Sequence, residues 1–179
     1  MRILRRTLLQ LPAAAWAAAP STPQHKIVFG EKGRFGGWPA NHHMWAWGNE
    51  LVVGFEAGYF RANTEKGREH AIDYSKPASH VLARSLDGGE TWKIEEPETL
   101  KAPPGTKQAG VPCAEGGKPM TQCPGGFDFT KPGFAFTARM TGNPGVSRFY
   151  YSYDRGKTWR GPFKLPDFGY PGTAARTDY

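Results

Sequence analysis

The chain has 179 residues, 39% of them hydrophobic, and its 23 basic and 16 acidic side chains give a formal net charge of +7. That length suits one ordinary domain. Three of the positive charges, Arg2, Arg5 and Arg6, fall in the first twenty residues, leaving +4 for the rest. With no basic run beyond them, the composition argues against a nucleic-acid partner.

Residues 1–20 read as an export signal. The arginines precede a short apolar stretch, Leu8 to Trp16, and the small residues Ala15, Ala17 and Ala19 put cleavage after Ala17 or Ala19. Arg5-Arg6-Thr7-Leu8-Leu9 resembles a twin-arginine signal, which exports folded cargo. The apolar part is too short to span a bilayer, so no stable membrane insertion is expected.

Lys26 to Phe29 is expected to be a short strand. A Gly/Pro-broken, aromatic-rich stretch follows from Gly33 to Trp47, then a tight turn at Gly48-Asn49 and a strand from Glu50 to Glu56. Trp45 and Trp47 share a face by the period of two and belong to the core. His42 and His43 are neighbours and therefore face opposite ways, so at most one points to any given site; structural or stacking roles are expected, with no metal and no cofactor.

A polar loop runs from Arg61 to Pro77, followed by a strand from His80 to Ser85 and another from Thr91 to Ile94. Between them lies Ser85-Leu-Asp87-Gly-Gly89-Glu-Thr91-Trp92, and the phrase recurs as Ser152-Tyr-Asp154-Arg-Gly156-Lys-Thr158-Trp159. Five positions repeat in phase, 67 residues apart. Each copy is a hairpin turn: the aspartate accepts backbone N–H bonds a few residues on, the glycine supplies positive φ, and the tryptophan anchors the turn in the core. Both tryptophans are expected to be largely buried.

From Glu95 to Gly126 the chain is Pro/Gly-rich and aperiodic, a connection with an inserted loop. Cys113 and Cys123 sit inside it and suggest a disulfide staple in an exported protein; two free thiols are the alternative, and a metal site would want four ligands with no histidine close in sequence. Gly126–Phe129, Gly133–Arg139 and Ser147–Tyr153 are the next strands, with Phe127, Phe129, Phe134 and Phe136 alternating into a core. Residues 166–172 form a linker, and Ala174 to Tyr179 opens a further strand.

The two phrases are Asp-boxes, and from about Gly33 to Trp159 the chain resembles the sialidase superfamily of BNR-repeat β-propellers. The resemblance implies an all-β, six-bladed propeller of about 400 residues in its complete form. Blade one would occupy about 33–95, blade two about 126–165, and a third would begin at 173–179, making residues 26–179 an N-terminal part whose Lys26–Phe29 strand closes the ring. In that family the boxes lie away from the substrate and do no chemistry.

What the family does follows from its other motifs. Three arginines hold the sialic-acid carboxylate, a Tyr–Glu pair is the nucleophile, and an aspartate is the acid/base. Two of those arginines, the Tyr and the Glu come from later blades. By resemblance Asp73 is the catalytic acid/base here, with Glu69 as the alternative carboxylate, while Arg34, Arg61 and Arg176 are the substrate-binding candidates. When Pro39-Ala40 are aligned with the family's phrase, Gly37 occupies the arginine position; either Arg34 reaches that place around a bulge, or the arginine is missing. The implied function is exo-sialidase-like hydrolysis of a glycan carrying an acidic sugar, and the rival is a non-catalytic carbohydrate- or protein-binding propeller.

Overall fold

The computed structural model describes residues 22, 24–62, 70–73, 75–108, 111–113, 116–140 and 145–175. The export signal, Glu69, Arg176 and the last residues of the expected third blade lie outside these. Among the described residues the chain is all-β, in antiparallel sheets, with one four-residue helix.

The first sheet is a meander. Strand β1 (Arg34–Gly37) and strand β2 (Met44–Trp47) both pair with one long neighbour, β3 (Glu50–Ala62), which continues to β5 (Ser79–Ser85) and β6 (Lys93–Glu95). The Gly48-Asn49 turn forms as expected, a two-residue link whose Gly48 has φ 64°. A short strand, β4 (His70–Ile72), pairs with the far end of β3 and takes up part of what reads in sequence as loop. Lys26–Phe29 is not a strand: Val28 and Phe29 instead lie on the sheet's outer face, beside Phe55, Ala57, Val81 and Ala83.

Helix α1 (Pro39–His42) interrupts the edge between β1 and β2. Both flanking residues hold left-handed backbone, Trp38 at φ 60° and His43 at φ 76°, which turns His42 inward. The neighbouring strand accommodates this only with glycine, because a Cβ on Gly54 would stand 2.8 Å from the His42 carbonyl oxygen.

A second sheet holds β9 (Ala135–Arg139), β10 (Arg148–Ser152) and β11 (Arg160–Lys164), in the order β11-β10-β9. The strand expected over Gly126–Phe129 is absent. Gly125 and Gly126 both have positive φ, and Asp128 closes a turn by accepting bonds from the Thr130 backbone N–H at 2.8 Å and hydroxyl at 2.6 Å. Phe129 is consequently exposed, although Phe127, Phe134 and Phe136 pack as expected. The connection between the sheets carries a one-turn 3-10 helix (Glu98–Leu100) and a small hairpin, β7 (Lys107–Gln108) with β8 (Val111–Pro112).

The two sheets share one apolar core. Trp45, Val52 and Leu82 from the first meet Ala135, Tyr150 and Trp159 from the second, with Leu100 of the connection between them. The Trp45 and Trp159 ring centroids are 5.7 Å apart.

Both Asp-boxes are hairpin turns, joining β5 to β6 and β10 to β11, and their hydrogen bonds repeat almost atom for atom. Asp87 Oδ1 accepts the Ser85 hydroxyl at 2.7 Å and the Thr91 N–H at 2.9 Å, and Asp154 Oδ1 accepts Ser152 and Thr158 at the same distances. The threonine hydroxyls reach the other carboxylate oxygen at 2.6 Å in each copy. Gly89 and Gly156 donate their N–H to Ser85 and Ser152, while their carbonyls receive the indole N–H of Trp92 and Trp159. These contacts hold the Asp87 carboxyl far below the usual range, the Thr91 hydroxyl first among them.

The copies differ in burial. Trp159 is buried between the sheets, whereas Trp92 is only half-buried, a correction to the expected symmetry. Trp92 packs on the outer face of the first sheet, where the segment around Val28 and Phe29 is the cover.

Candidate functional site

The long strand β3 has two ends with different chemistry. At its beginning the Gly88 N–H binds the Asn49 carbonyl, so the first box lies there; at the other end the Asp73 N–H binds the Tyr59 carbonyl at 2.8 Å. Ten residues of strand, about 33 Å, separate them. The box thus stands at the end of the sheet away from the residues singled out for chemistry.

Those residues gather around Tyr59. Arg34 is its cross-strand partner, with the guanidinium carbon 4.6 Å from the ring centroid, and the Lys76 ammonium lies 4.8 Å from the same ring. Asp73 follows the short strand β4, whose Ala71 pairs with Arg61, so Arg61 and Tyr59 share a face two residues apart. The fold therefore brings Arg34, Arg61 and Asp73 to one end of one sheet. Arg176, outside the described residues, cannot be placed with them.

Electrostatically, Asp73 is set as an anion. Its Oδ1 accepts the Ser75 hydroxyl at 2.6 Å and the Ser75 N–H at 3.1 Å, and Lys76 approaches Oδ2 at 3.4 Å. The Ser75 hydroxyl most of all, then its N–H and the Lys76 charge, hold the carboxyl below the ordinary aspartate range. Arg34 keeps its Nε buried without a hydrogen-bond partner.

The bulge that would carry Arg34 to the position of Gly37 does not exist. Four consecutive pairs run in unbroken register, from Arg34 opposite Tyr59 to Gly37 opposite Glu56. Arg34 consequently sits three residues, about 10 Å, along the strand from the aligned arginine position and on the opposite face. The Phe35 ring covers Gly37, where a Cβ would meet it at 2.3 Å.

Behind this end lies a buried polar cluster that the sequence did not reveal. Glu56 and His80 are directly opposite each other on β3 and β5, and His42 comes in from α1 with its ring centroid 5.2 Å from that of His80. One ligand atom of each of the three residues lies within 4.8 Å of the others. His42 and Glu56 are 0% and 1% exposed, and neither ring nitrogen of His42 nor either carboxylate oxygen of Glu56 has a hydrogen-bond partner. A buried polar group left so costs about 1–3 kcal/mol, more if charged. Burial pushes the Glu56 carboxyl up to about 7. His43 packs its ring against Trp45, 5.2 Å between centroids; the two histidines lie at the end of α1 and not on a strand, so the expected strand alternation does not set their directions.

Cys113 borders the cluster. The expected disulfide with Cys123 is not formed, and both thiols are free. Cys113 is bridged to Ala78 of the first sheet, with its Sγ 4.0 Å from His80 Nε2, whereas Cys123 packs with Phe127 and Phe149 in the core of the second sheet. The two cysteines are thus drawn into different cores. Burial pushes the Cys113 thiol up to about 11, against the pull of the nearby Arg148 guanidinium.

On the second sheet Arg148 and Arg139 are cross-strand partners, both fully buried. Arg148 donates to the Met140 carbonyl at 2.9 Å and the Tyr150 hydroxyl at 3.2 Å. None of the three Arg139 side-chain nitrogens has a hydrogen-bond partner, and burial first, then Arg148, pulls its pKa down to about 9. Being buried, neither arginine can touch a glycan from this position.

Comparison with known proteins found no family model, no curated protein and no solved structure that matches this chain. Fold and site together define an all-β protein of antiparallel sheets with two Asp-box turns and a mixed cationic and carboxylate cluster at the opposite sheet end.

Proposed function

We propose that this chain is part of an exported, six-bladed Asp-box propeller that hydrolyses glycosides of sialic acid or a related acidic sugar. The observation that carries the reading is the meeting of Arg34 and Asp73 on Tyr59, at the end of the sheet opposite the box. Arg34, Lys76 and Arg61 supply positive charge to an anionic sugar, and Asp73 supplies the proton-transfer group beside them. In the free state Asp73 is ionised; desolvation under a bound sugar raises its pKa, so that it takes up a proton, gives it to the leaving group as the acid, and then serves as base toward the attacking water.

A second reading, a carbohydrate-binding propeller without catalysis, is favoured by Gly37. It stands where the aligned family has an arginine, and the register gives Arg34 no route to that place. Asp73→Asn in the full-length protein separates the two. The hydrolase reading expects turnover of a natural glycoside to fall by about 10²–10⁴, with an activated aryl glycoside spared because its leaving group needs little protonation. Sugar binding without turnover in the unaltered protein, or turnover indifferent to Asp73→Asn, removes the hydrolytic role of Asp73.

A further inference from the structure

We propose that His42, Glu56, His80 and Cys113 form a zinc site that ties the connection between the two sheets to the first sheet. The four residues come from four places in the chain: helix α1, strand β3, strand β5 and the bridge at Cys113. Their donor set of two imidazoles, a carboxylate and a thiol belongs to zinc chemistry, and calcium or magnesium would ask for oxygens.

Three of the four donors already stand together, with the fourth at their border. Around tetrahedral zinc, donor atoms stand about 3.3–3.7 Å apart. Here one atom each of His42, Glu56 and His80 falls within 4.8 Å of the others, so these three close on a metal by small side-chain shifts, while Cys113, whose Sγ is 4.0 Å from His80 Nε2 but stands outside that group, must swing inward to become the fourth ligand. His42 and Glu56 are buried with every polar side-chain atom unpartnered, and a cation satisfies both at once.

Two further features fit. The backbone is bent on both sides of α1, at Trp38 and His43, and β3 has glycine at residue 54, and together these turn His42 inward. A dication balances the Glu56 carboxylate and a Cys113 thiolate, with Arg148 beside the sulfur as an outer partner. Buried as it is, the site is structural, taking the place of the expected disulfide as the staple of the connection.

The test uses the tag-free chain, stripped with chelator and titrated with zinc chloride, with far-ultraviolet circular dichroism confirming that each variant is folded. One zinc per chain is expected, with a raised melting temperature. Glu56→Gln and His42→Gln should each weaken binding by more than about 100-fold, beyond the usual loss for an outer partner. Cobalt loading reports the ligands directly: a thiolate-to-cobalt charge-transfer band, lost in Cys113→Ser while cobalt still binds. A folded chain that takes up neither metal overturns the proposal, as does binding that Glu56→Gln and His42→Gln leave unchanged. Metal uptake without the thiolate band overturns the part assigned to Cys113.

Discussion

Glu50 and Arg155, 105 residues apart, are joined at 2.7 Å between carboxylate and guanidinium, and this pair locks the second Asp-box onto the first sheet. Arg84 completes the junction. It donates to the other Glu50 oxygen at 2.7 Å, to the Arg155 carbonyl at 3.0 Å, and to Glu95 at 3.0 Å. Arg155 holds φ 60° where the first box has a glycine, Gly88, at φ 73°. That left-handed conformation costs a non-glycine residue about 1–3 kcal/mol, and it turns both its carbonyl and its side chain toward the first sheet.

Arg84 is 6% exposed and Glu50 10%, and Arg155 still holds Glu50 when Arg84 is removed, so Arg84→Ala should destabilise the chain by about 1.5–3 kcal/mol, the usual worth of buried hydrogen bonds to charged groups. Arg155→Ala, at an exposed position, should cost much less. Burial raises the pKa of Glu50, but hydrogen bonds from Arg155 and Arg84 outweigh it and the net shift is downward. A depressed carboxylate stabilises the fold above its unfolded-state pKa, and that contribution is lost as the pH falls through the folded value. Urea unfolding of the parent and of Glu50→Gln should therefore differ at neutral pH and converge in acid. A gap independent of pH would remove the charge of Glu50 from the account.

The two box tryptophans should not be equivalent. Trp159→Ala opens the core shared by both sheets and is expected to cost about 3–5 kcal/mol, while Trp92→Ala, on the half-covered outer face, should cost clearly less. Thermal or denaturant unfolding of the two variants decides the order. Equal losses would mean that Trp92 is as well covered as Trp159.

With both cysteines free, alkylation without reductant should add two labels to the denatured chain and one, at Cys123, to the native chain on a short timescale. Cys113 is 5% exposed and its thiol is pushed up to about 11, so it is both hidden and protonated at neutral pH. A denatured, non-reduced chain that takes no label would restore the disulfide.

Both turns were legible in the sequence because their hydrogen bonds close within four residues. Ser, Asp, Gly and Thr bond one another, and the indole N–H returns to the glycine three positions back. The flanking strands and the Gly48-Asn49 turn were readable for the same local reason. The strand expected over Gly126–Phe129 failed locally too, since two consecutive left-handed glycines override an alternation of phenylalanines. The gathering of Arg34 and Asp73 was expected from a resemblance, and only the pairing of β1 and β4 with the same end of β3 brings it about.

What tertiary structure alone decided is which residues oppose one another. Alternation along a strand says which side chains share a face but is silent on what covers that face. Cross-strand register put His80 against Glu56, the strained entry and exit of α1 aimed His42 at both, and the bridge at Ala78 carried Cys113 to His80 and away from Cys123. The same dependence separates the two tryptophans. Identical turns present them identically, but the first sheet stands over Trp159, and over Trp92 there is the segment at Val28 and Phe29.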